Sequence, residues 1–355
     1  MRSALIAMSG GVDSSVAALL AVRQGYDCAG CMMKLYAGGD AEEPRGRSCC
    51  SLDDAEDARA VAHQLGIPFY VFNFTGDFEE QVIRRFVEAY QNGETPNPCI
   101  DCNRCLKFER LFRRARELGR EYIVTGHYAR VEHDAAAGRY LLKKGVDASK
   151  DQSYVLYAMT QEQLAHTLFP LGGLYKSQAR EIALAHGFGN AEKRDSQDIC
   201  FVPDGDYAGF IERYTGRASE GGDFIDACGR VLGRHRGLVR YTVGQRKGLG
   251  LALEQPMYVQ SKNPRDNTVT LCEDGALFSR ALDAVDFNWI ACAGPGPMRV
   301  KAKVRYRHAE QWATAEQTGR DTVHVEFDQP QRAIAKGQAV VLYDGDAVVG
   351  GGTIR

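Results

Sequence analysis

Near the start of the chain, a short apolar run is followed at once by two glycines and then by a helical pattern. The run Ala4–Met8 is predicted to be a strand, and Ser14–Gln24 a helix that ends before Gly25. Between them lies Ser-Gly-Gly-Val-Asp-Ser-Ser, residues 9–15, hereafter the glycine loop. Adjacent glycines let backbone N–H groups converge, and a helix N-terminus adds partial positive charge. The glycine loop therefore predicts an anion cradle in an α/β domain.

The type of anion site follows from what surrounds the two glycines. The loop has neither the Gly-Lys-Ser/Thr ending of Walker-type phosphate loops nor the Gly-x-Gly-x-x-Gly of dinucleotide folds. A tight strand-to-helix turn without a ligand is the simpler interpretation. The hydroxyl groups of Ser14 and Ser15 favour a phosphate, because they add donors at the helix start.

The rest of the chain shows two successive sequence patterns. Strand and helix patterns alternate up to about residue 205, as in a parallel α/β domain. Beyond it, glycine-punctuated short runs indicate small β units, and from about 276 apolar and polar residues alternate. For 355 residues, two to three domains are expected. We predict domains at 1–205, 206–275 and 276–355.

The predicted elements are short and regularly spaced. Helices are predicted at 53–65, 78–91, 102–118, 177–186 and 206–214, and strands at 31–34, 68–74, 122–125 and 299–307. A terminal hairpin is predicted from 339–343 and 347–349. No apolar run approaches the ~18 residues of a membrane span, and the apolar stretch at the start is too short for a signal peptide. The expected location is the cytoplasm, with no membrane partner.

The 11 cysteines are not expected to form structural disulfides in a reducing compartment. Three of them are spaced by two residues, at Cys99, Cys102 and Cys105. The helix is predicted to begin near Cys102, where the helix N-terminus and nearby basic residues would stabilise a thiolate. Cys200 is a second candidate reactive thiol, at the end of the α/β domain.

The same spacing also suits a metal or iron–sulfur site, with Cys200 as the fourth ligand. Spacing alone does not choose between a redox relay and a cluster. Cys49 and Cys50 are ambiguous. The remaining cysteines lie in apolar or β contexts and are predicted to be buried, inert thiols: Cys28, Cys31, Cys228, Cys272 and Cys292.

The glycine loop resembles the PP-loop of ATP pyrophosphatases, which cleave ATP between its α and β phosphates. Further motifs, in order along the chain, are Thr-Pro-Asn-Pro at 95–98, Thr-Gly-His-Tyr at 125–128, Lys-Asp-Gln-Ser-Tyr at 150–154, Ser-Gln-Asp-Ile-Cys-Phe at 196–201 and Tyr-Thr-Val-Gly-Gln-Arg-Lys-Gly-Leu-Gly at 241–250. Together they resemble the tRNA-specific 2-thiouridylase family. The resemblance implies an α/β fold: a PP-loop parallel-sheet domain, a small central domain and a C-terminal β-barrel-like domain.

The resemblance also implies an activity. Such an enzyme uses ATP to adenylate the C2 oxygen of the wobble uridine in the tRNAs for Lys, Glu and Gln, and then transfers a persulfide sulfur to form 2-thiouridine. It implies ATP and Mg²⁺ as cofactors, with Asp13 helping to position the metal ion. The implied partners are the anticodon region of tRNA and a persulfide donor protein or a relay from a cysteine desulfurase.

Site residues follow from the matched motifs. Cys102 matches the nucleophile and Cys200 the persulfide carrier. Implied ATP contacts are Ala7, Met8, Ser9, Gly10, Gly11, Val12, Asp13, Ser14, Met33 and Gly126. Implied tRNA contacts are Asn97, Pro98, Cys99, His127, Lys150, Asp151, Gln152, Arg305, Tyr306 and Gln338.

The chain departs from the family pattern at two cysteines. Cys99 stands where some relatives carry an aspartate, and Cys105 is outside the motif. These departures keep an iron–sulfur cluster in consideration, with Cys99, Cys102 and Cys200 as ligands.

The net charge of −2 gives no global sign of an RNA partner, so binding would depend on local patches. Basic residues concentrate in 104–120, in 230–247 and on the odd positions of 299–307. A solvated face explains any single patch, but three in three predicted domains favour an extended polyanion. Two other functions stay open: an ATP-dependent ligase of a small metabolite, and a non-catalytic RNA binder that carries a cluster.

Overall fold

The N-terminal part of the chain forms a parallel sheet flanked by helices. The computed structural model describes residues 2–35, 52–193, 199–294 and 296–355. The first strands are β1 Ser3–Ala7, β2 Asp27–Lys34, β3 Phe69–Asn73, β4 Tyr122–Val124, β5 Ala129–Asp134, β6 Arg139–Lys144 and β7 Thr167–Leu168. The parallel sheet has the order β3-β2-β1-β4-β7. The predicted α/β fold class is thus confirmed.

Helices connect these strands, and all of them except the helix Gln161–Ala165 lie close to predicted positions. They are α1 Val12–Arg23, α2 Leu52–Gln64, α3 (segments Thr75–Phe78, Glu79–Ile83 and Arg84–Gln91), α4 (segments Pro98–Asp101, Cys102–Arg110 and Leu111–Glu117), α5 Gln161–Ala165, α6 Lys176–Ala185 and α7 Tyr207–Thr215. The middle segments of α3 and α4 are π-helical. Among the described residues, no helix is both long and apolar enough to span a membrane.

The start of α4 corrects the prediction that a helix begins near Cys102. The helix begins at Pro98, because the Asn97 side chain accepts a hydrogen bond from the backbone N–H of Cys99, at 3.2 Å, and caps the first turn. Proline suits the first helical position, since its missing N–H would have no partner there. Cys102 therefore lies one turn inside the helix.

The middle of the chain forms a small sheet, as the glycine-punctuated pattern predicts. Its strands are β8 Gly222–Ile225, β9 Val231–His235, β10 Tyr258–Asn263 and β11 Thr268–Cys272, in the order β10-β11-β8-β9. Phe224, Val259 and Leu271 are fully buried in its core.

The C-terminal part forms a closed antiparallel barrel. Its strands are β12 Phe278–Trp289, β13 Met298–Lys303, β14 Gln311–Gln317, β15 Val323–Arg332, β16 Ala339–Asp344 and β17 Ala347–Ile354. The order is β12-β15-β14-β13-β16-β17, and a pairing between β12 and β17 closes the barrel. The terminal hairpin and the alternation of β13 are confirmed, but β13 ends at Lys303 rather than at residue 307.

The closing strand β17 carries three consecutive glycines that have no room for side chains. A Cβ on Gly351 would lie 2.6 Å from Cγ of Tyr157, and one on Gly352 would lie 2.8 Å from Cδ2 of Phe287. A Cβ on Gly350 would lie 2.6 Å from the carbonyl oxygen of Asn288. Bare backbone on this strand therefore lets the barrel close and lets residues of the N-terminal part pack against it.

One hairpin of the N-terminal part extends the barrel sheet, which the sequence did not predict. Strands β5 and β6 pair with each other, and β6 meets β17 at Lys143 and Ala347. The backbone N–H of Lys144 donates to the carbonyl of Asp346 at 2.8 Å, and Arg130 forms an ion pair with the Asp346 carboxylate at 2.7 Å. An apolar cluster fills the space between them, with contributions from both sides.

Candidate active site

The glycine loop lies where the strand order of the parallel sheet reverses. Strands β2 and β3 extend to one side of β1, while β4 pairs on the other side, with Ile6 opposite Val124. The loops that leave β1 and β4 therefore face each other, and ligands of open α/β sheets bind in the crevice at this point. The glycine loop leaves β1, and the Thr-Gly-His-Tyr motif at 125–128 leaves β4.

Hydroxyl and backbone bonds fix the path of the glycine loop. Gly10 has a φ of 74°, and a Cβ there would lie 2.3 Å from the carbonyl oxygen of Asp54. The Ser14 hydroxyl accepts from the backbone N–H of Ser9 at 3.1 Å and donates to the carbonyl of Gly11 at 3.0 Å. The first N–H groups of α1 have no partner within the helix, so they are available to an anion.

Gly126 packs directly against this loop. A Cβ on Gly126 would lie 2.8 Å from both the carbonyl carbon of Asp13 and the backbone nitrogen of Ser14. The absence of a side chain at 126 therefore allows the loop after β4 to touch the start of α1. This close contact explains why residue 126 is a glycine, independently of any bound ligand.

Sequence reasoning missed the side chains that hold Asp13. The Lys176 ammonium donates to both carboxylate oxygens, at 2.7 and 2.8 Å, and the Tyr128 hydroxyl donates to Oδ1 at 2.8 Å. Lys176 is buried and begins α6. A cation at a helix start opposes the helix dipole, and this is the signal that could have singled it out.

A second group of polar side chains supports the loop from behind. The Lys193 ammonium bonds to Asp54 at 2.6 Å and Asp57 at 2.7 Å, which ties α2 to the segment after α6. The side-chain amide of Asn190 donates to the carbonyl of Gly10 and to the hydroxyl of Ser15, both at 3.0 Å. The glycine loop is thus fixed by partners distant in sequence.

The two predicted reactive cysteines pack against the same hydrophobic cluster as two of the predicted ATP contacts. One hydrophobic cluster, centred on buried aromatic side chains of α3 and on Phe201, has four of these predicted residues packed against its edge: Ala7, Met33, Cys102 and Cys200. Both cysteines are partly exposed. The structure therefore brings the end of β1, β2, α4 and the segment after residue 198 into one neighbourhood.

The other cysteines divide by burial. Cys105 is buried, and burial raises the pKa of its thiol. Burial also raises the pKa of Cys28 to about 11, and that of Cys31 further. Cys272 is buried and Cys292 is half-buried. The prediction for Cys228 is wrong: it is exposed, in a turn where its N–H donates to the Asp226 carboxylate at 2.9 Å. Cys49 and Cys50 lie outside the described residues.

The described ranges contain no group of three or more Cys, His, Asp or Glu side chains placed to hold a metal ion. Cys99 is exposed in the first turn of α4, whereas Cys102 packs at the edge of the hydrophobic cluster. An iron–sulfur cluster on Cys99, Cys102 and Cys200 therefore does not fit this arrangement.

Several predicted tRNA contacts meet at one place. The Tyr306 hydroxyl donates to the carbonyl of Asp151 at 3.0 Å. Burial raises the pKa of Tyr306, and the negative charges of Asp151 and Cys99 raise it further. Gln152 accepts from the N–H of Tyr128 at 3.0 Å, so the loop 150–152 is linked through Tyr128 to Asp13. Lys150 is held in the same loop, where its N–H donates to the carbonyl of Asp147.

A turn of the barrel holds the segment that precedes α4. The Gln338 side chain donates to the carbonyl of Thr95 at 2.8 Å, and the N–H of Thr95 donates to the carbonyl of Lys336 at 2.8 Å. Pro98 is buried and Asn97 is partly exposed. The barrel thereby fixes the approach to Asn97, Pro98 and Cys99.

Two predicted tRNA contacts have internal partners instead. His127 is buried against Phe108 and Phe169, and its Nδ1 lies 2.7 Å from the Thr125 hydroxyl. The Arg305 guanidinium donates to the carbonyls of Val243 and Ala333, at 3.1 and 3.0 Å, which joins the small sheet to the barrel. RNA contact by these two residues stays a prediction.

Ion pairs alter two of the three predicted basic patches. In 104–120, Arg110, Arg114, Arg116 and Arg120 pair with Asp77, Glu117, Glu162 and Asp27. In 230–247, Arg230, Arg234 and Arg240 pair with Asp226, Asp223 and Glu212. Most of these acids are distant in sequence, so local counting overestimated both patches. On β13, only Arg299 is paired, with Asp328, among the described residues.

Comparisons with known proteins follow the same three-part division. A family model described as a tRNA methyl transferase HUP domain matches residues 2–204. Models of a tRNA methyl transferase PRC-barrel domain and an aminomethyltransferase β-barrel domain match residues 208–273 and 279–354.

Relatives that align with the whole or nearly the whole of this chain share one name. The tRNA-specific 2-thiouridylase MnmA of Clostridioides difficile is 50% identical over 100% of this chain and 98% of its own length. Those of Moorella thermoacetica and Heliobacterium modesticaldum are 51% and 52% identical over 99% of this chain, and 99% and 92% of their own lengths.

Proposed function

Since this chain belongs to the tRNA-specific 2-thiouridylase family, we propose that it replaces O2 of the wobble uridine by sulfur in the tRNAs for Lys, Glu and Gln, at the expense of ATP. The observation that supports the proposal is that Ala7, Met33, Cys102 and Cys200 all pack against the same hydrophobic cluster. A nucleotide held by the glycine loop and a sulfur held by a cysteine would there be close to the same base.

The first step would activate the uracil. Its O2 attacks the α-phosphate of ATP, a bond to the β-phosphate breaks, and pyrophosphate leaves. The N–H groups at the start of α1 and the glycine loop would stabilise the charge of the leaving group. Lys176 adds a cation beside the loop, and Tyr128 orients the carboxylate that Lys176 binds.

Magnesium would supply further charge neutralisation to a bound triphosphate. Asp13 would reach such an ion through the lone pairs that remain on its carboxylate, because Lys176 already donates to both oxygens. The proposed role of Asp13 is to hold Lys176 at the loop.

The second step would deliver sulfur. The terminal sulfur of a Cys200 persulfide attacks C2 of the adenylated base, and AMP leaves with the former O2. The Cys102 thiolate then attacks Sγ of Cys200, so that a Cys102–Cys200 disulfide forms and the thiocarbonyl product is released. Alternatively, Cys102 attacks the persulfide first and sulfide is the species that reaches C2. Both routes leave a disulfide, which a dithiol reductant must reopen with two electrons.

The sulfur donor would act on Cys200. Its partial exposure is compatible with transfer from a persulfide donor protein or from a relay that begins at a cysteine desulfurase. We propose no iron–sulfur cluster, because the described residues do not assemble the ligands for one.

The test separates the two half-reactions in the full chain. We expect Cys200→Ser to retain tRNA-dependent pyrophosphate release and to lose both the protein-bound persulfide and 2-thiouridine. Cys102→Ser should accept the persulfide but turn over at a small fraction of the normal rate. Cys228→Ser is the matched control, because this exposed thiol lies in the small sheet away from the cluster.

Two results would reject the proposal. Normal thiolation by either Cys102→Ser or Cys200→Ser, with a persulfide donor, would remove the assigned cysteine chemistry. Pyrophosphate release that does not depend on tRNA would point to a ligase of a small metabolite instead.

A further inference from the structure

An exposed tryptophan lies on the outer face of the barrel between two cations. Trp312 on β14 is 50% exposed and pairs with Lys301 on β13. The Lys301 ammonium is 5.2 Å from the centre of its ring and the Arg299 guanidinium is 5.0 Å from it. A single exposed aromatic side chain is common on protein surfaces, and what distinguishes Trp312 is the pair of cations beside its ring.

The same face continues toward the predicted tRNA contacts. Lys303, the next outward residue of β13, has its ammonium 5.9 Å from the ring of Tyr154 and 6.0 Å from that of Tyr306. Tyr306 in turn contacts Asp151. Arg299, Lys301 and Lys303 alternate with buried Val300 and Ala302, so all three basic side chains point away from the barrel core.

This strip also keeps more of its charge than the other basic patches. In the described parts of the chain, neither Lys301 nor Lys303 forms an ion pair, whereas Arg299 pairs with Asp328. The strip thus combines an aromatic platform with cations that follow one line, which is the arrangement that binds single-stranded nucleic acid.

We propose that Trp312, Lys301 and Lys303 form an RNA-binding strip for the single-stranded loop that carries the target uridine. A base of that loop stacks on Trp312, and the two lysines contact its phosphates. From residue 303 to residue 299 the strand rises about 13 Å, so the strip lies within a few nucleotides of the place where Tyr306 meets Asp151. This inference rests on the proposed function and adds a contact outside the residues that the family resemblance implies.

Binding to an anticodon stem-loop RNA tests the strip. We expect Trp312→Ala to weaken binding about tenfold and Trp312→Phe to weaken it less, because a smaller ring still stacks. Lys301→Ala should lower the slope of log affinity against log salt concentration by about 0.7. Phe278→Ala and Arg320→Ala, which alter an exposed aromatic and an exposed cation elsewhere on the barrel, should bind like wild type.

Fluorescence gives a readout that a purely structural role would not move. The chain has two tryptophans, and Trp289 is packed against the barrel core. RNA should therefore shield wild-type fluorescence from acrylamide through Trp312, and this shielding should vanish in Trp312→Phe. In turnover, Trp312→Ala should raise KM for the RNA and leave kcat unchanged.

Three results would contradict the proposed RNA-binding strip. If Trp312→Ala binds the stem-loop RNA as tightly as wild type, Trp312 is not part of an RNA-binding site. If the variant is defective with full-length tRNA but not with the stem-loop, the strip binds another part of the tRNA. A defect that appears only with a protein sulfur donor, and not with a small-molecule persulfide, would make this face a protein contact. If the wild-type chain neither binds nor thiolates tRNA, the proposed function fails, which is a separate outcome.

Discussion

At the scale of single residues, the start of α1 is fixed by side chains that do not belong to the glycine loop. Lys176 and Tyr128 hold Asp13, Asn190 holds the carbonyl of Gly10, and Gly126 makes room for the start of the helix. Preorganised N–H donors stabilise a leaving anion only if their positions are maintained during the reaction. These residues are therefore expected to affect ATP chemistry by holding the start of α1 in position.

Gly126→Ala should impair the use of ATP. The new Cβ would lie 2.8 Å from backbone atoms of Asp13 and Ser14, so the start of α1 must shift. We expect a loss of at least tenfold in tRNA-dependent pyrophosphate release. Gly173→Ala is the control, since no atom lies within 4 Å of the position of its Cβ. Equal rates for the two variants would contradict this account of Gly126.

His127 should make the fold less stable below pH 6.5. Burial, with a contribution from Lys107, lowers the pKa of His127 well below 6.5 in the folded state, whereas the unfolded chain has the ordinary value. As the pH falls below 6.5, the unfolded chain binds a proton that the folded chain does not, so stability is lost. The cost approaches ~1.4 kcal/mol per pH unit.

Urea unfolding at pH 7, 6 and 5 measures this contribution. The free energy of unfolding should decline less steeply with falling pH in His127→Gln than in wild type. His235 and His308, whose pKa values burial also lowers, remain in both proteins, so the difference isolates residue 127. Parallel declines would mean that His127 titrates normally in the fold.

At the scale of elements, the first turn of α4 connects the predicted target-base segment to Cys102, the proposed nucleophile. Asn97 caps the helix, Cys99 lies exposed in its first turn and Cys102 follows one turn later. In front of the cap, the backbone of Thr95 is bound to the barrel turn at Lys336 and Gln338. A loosened cap would therefore displace Cys102 as well as fray the helix.

Asn97→Ala should cost more activity than stability. Loss of the cap is worth ~1 kcal/mol of unfolding free energy, since Cys99 N–H then has no side-chain acceptor. Thr160→Ala removes the cap of α5, which lies outside the site, and should cost a similar amount of stability. We expect a large loss of thiolation in Asn97→Ala and near-normal thiolation in Thr160→Ala. Comparable activity in both would show that the first turn does not position Cys102.

At the scale of the whole molecule, the barrel and the N-terminal part share one hydrophobic cluster and one extended sheet. Tyr154, Leu142 and Leu156 share one apolar cluster with Val341 and Tyr343 of the barrel. Strands β5 and β6 continue the barrel sheet beyond β17. The two parts therefore bury each other's apolar surface.

A fragment ending at residue 275 should not fold normally. It would expose the side of the shared cluster that barrel residues cover, and exposed apolar patches of this kind favour association. We expect the fragment to bind a hydrophobic dye and to unfold without a cooperative transition, whereas the full chain unfolds cooperatively. A cooperative fragment of unchanged stability would show that the N-terminal part is an independent domain.

The sequence predicted the parts of the molecule that depend on local patterns. Apolar periodicity located the strands and helices around the glycine loop, because their buried faces repeat at fixed spacing. The start of α4 was missed, because the predicted start near Cys102 did not allow for a proline in the first helical turn. The Lys176–Asp13 contact and the ion pairs of the basic patches join residues far apart in sequence, and no local pattern contains such information.

The three glycines of β17 limit how this chain can diverge. Side chains there would collide with Tyr157, Phe287 and the backbone at Asn288, so the wall of the barrel cannot be remodelled from this strand. We therefore expect variation in the proposed RNA contacts on the outer face of the barrel and in its turns, where Trp312 and Gln338 lie. Substitutions on the closing strand should be tolerated less well, because each added side chain would force neighbouring backbone or aromatic rings to move.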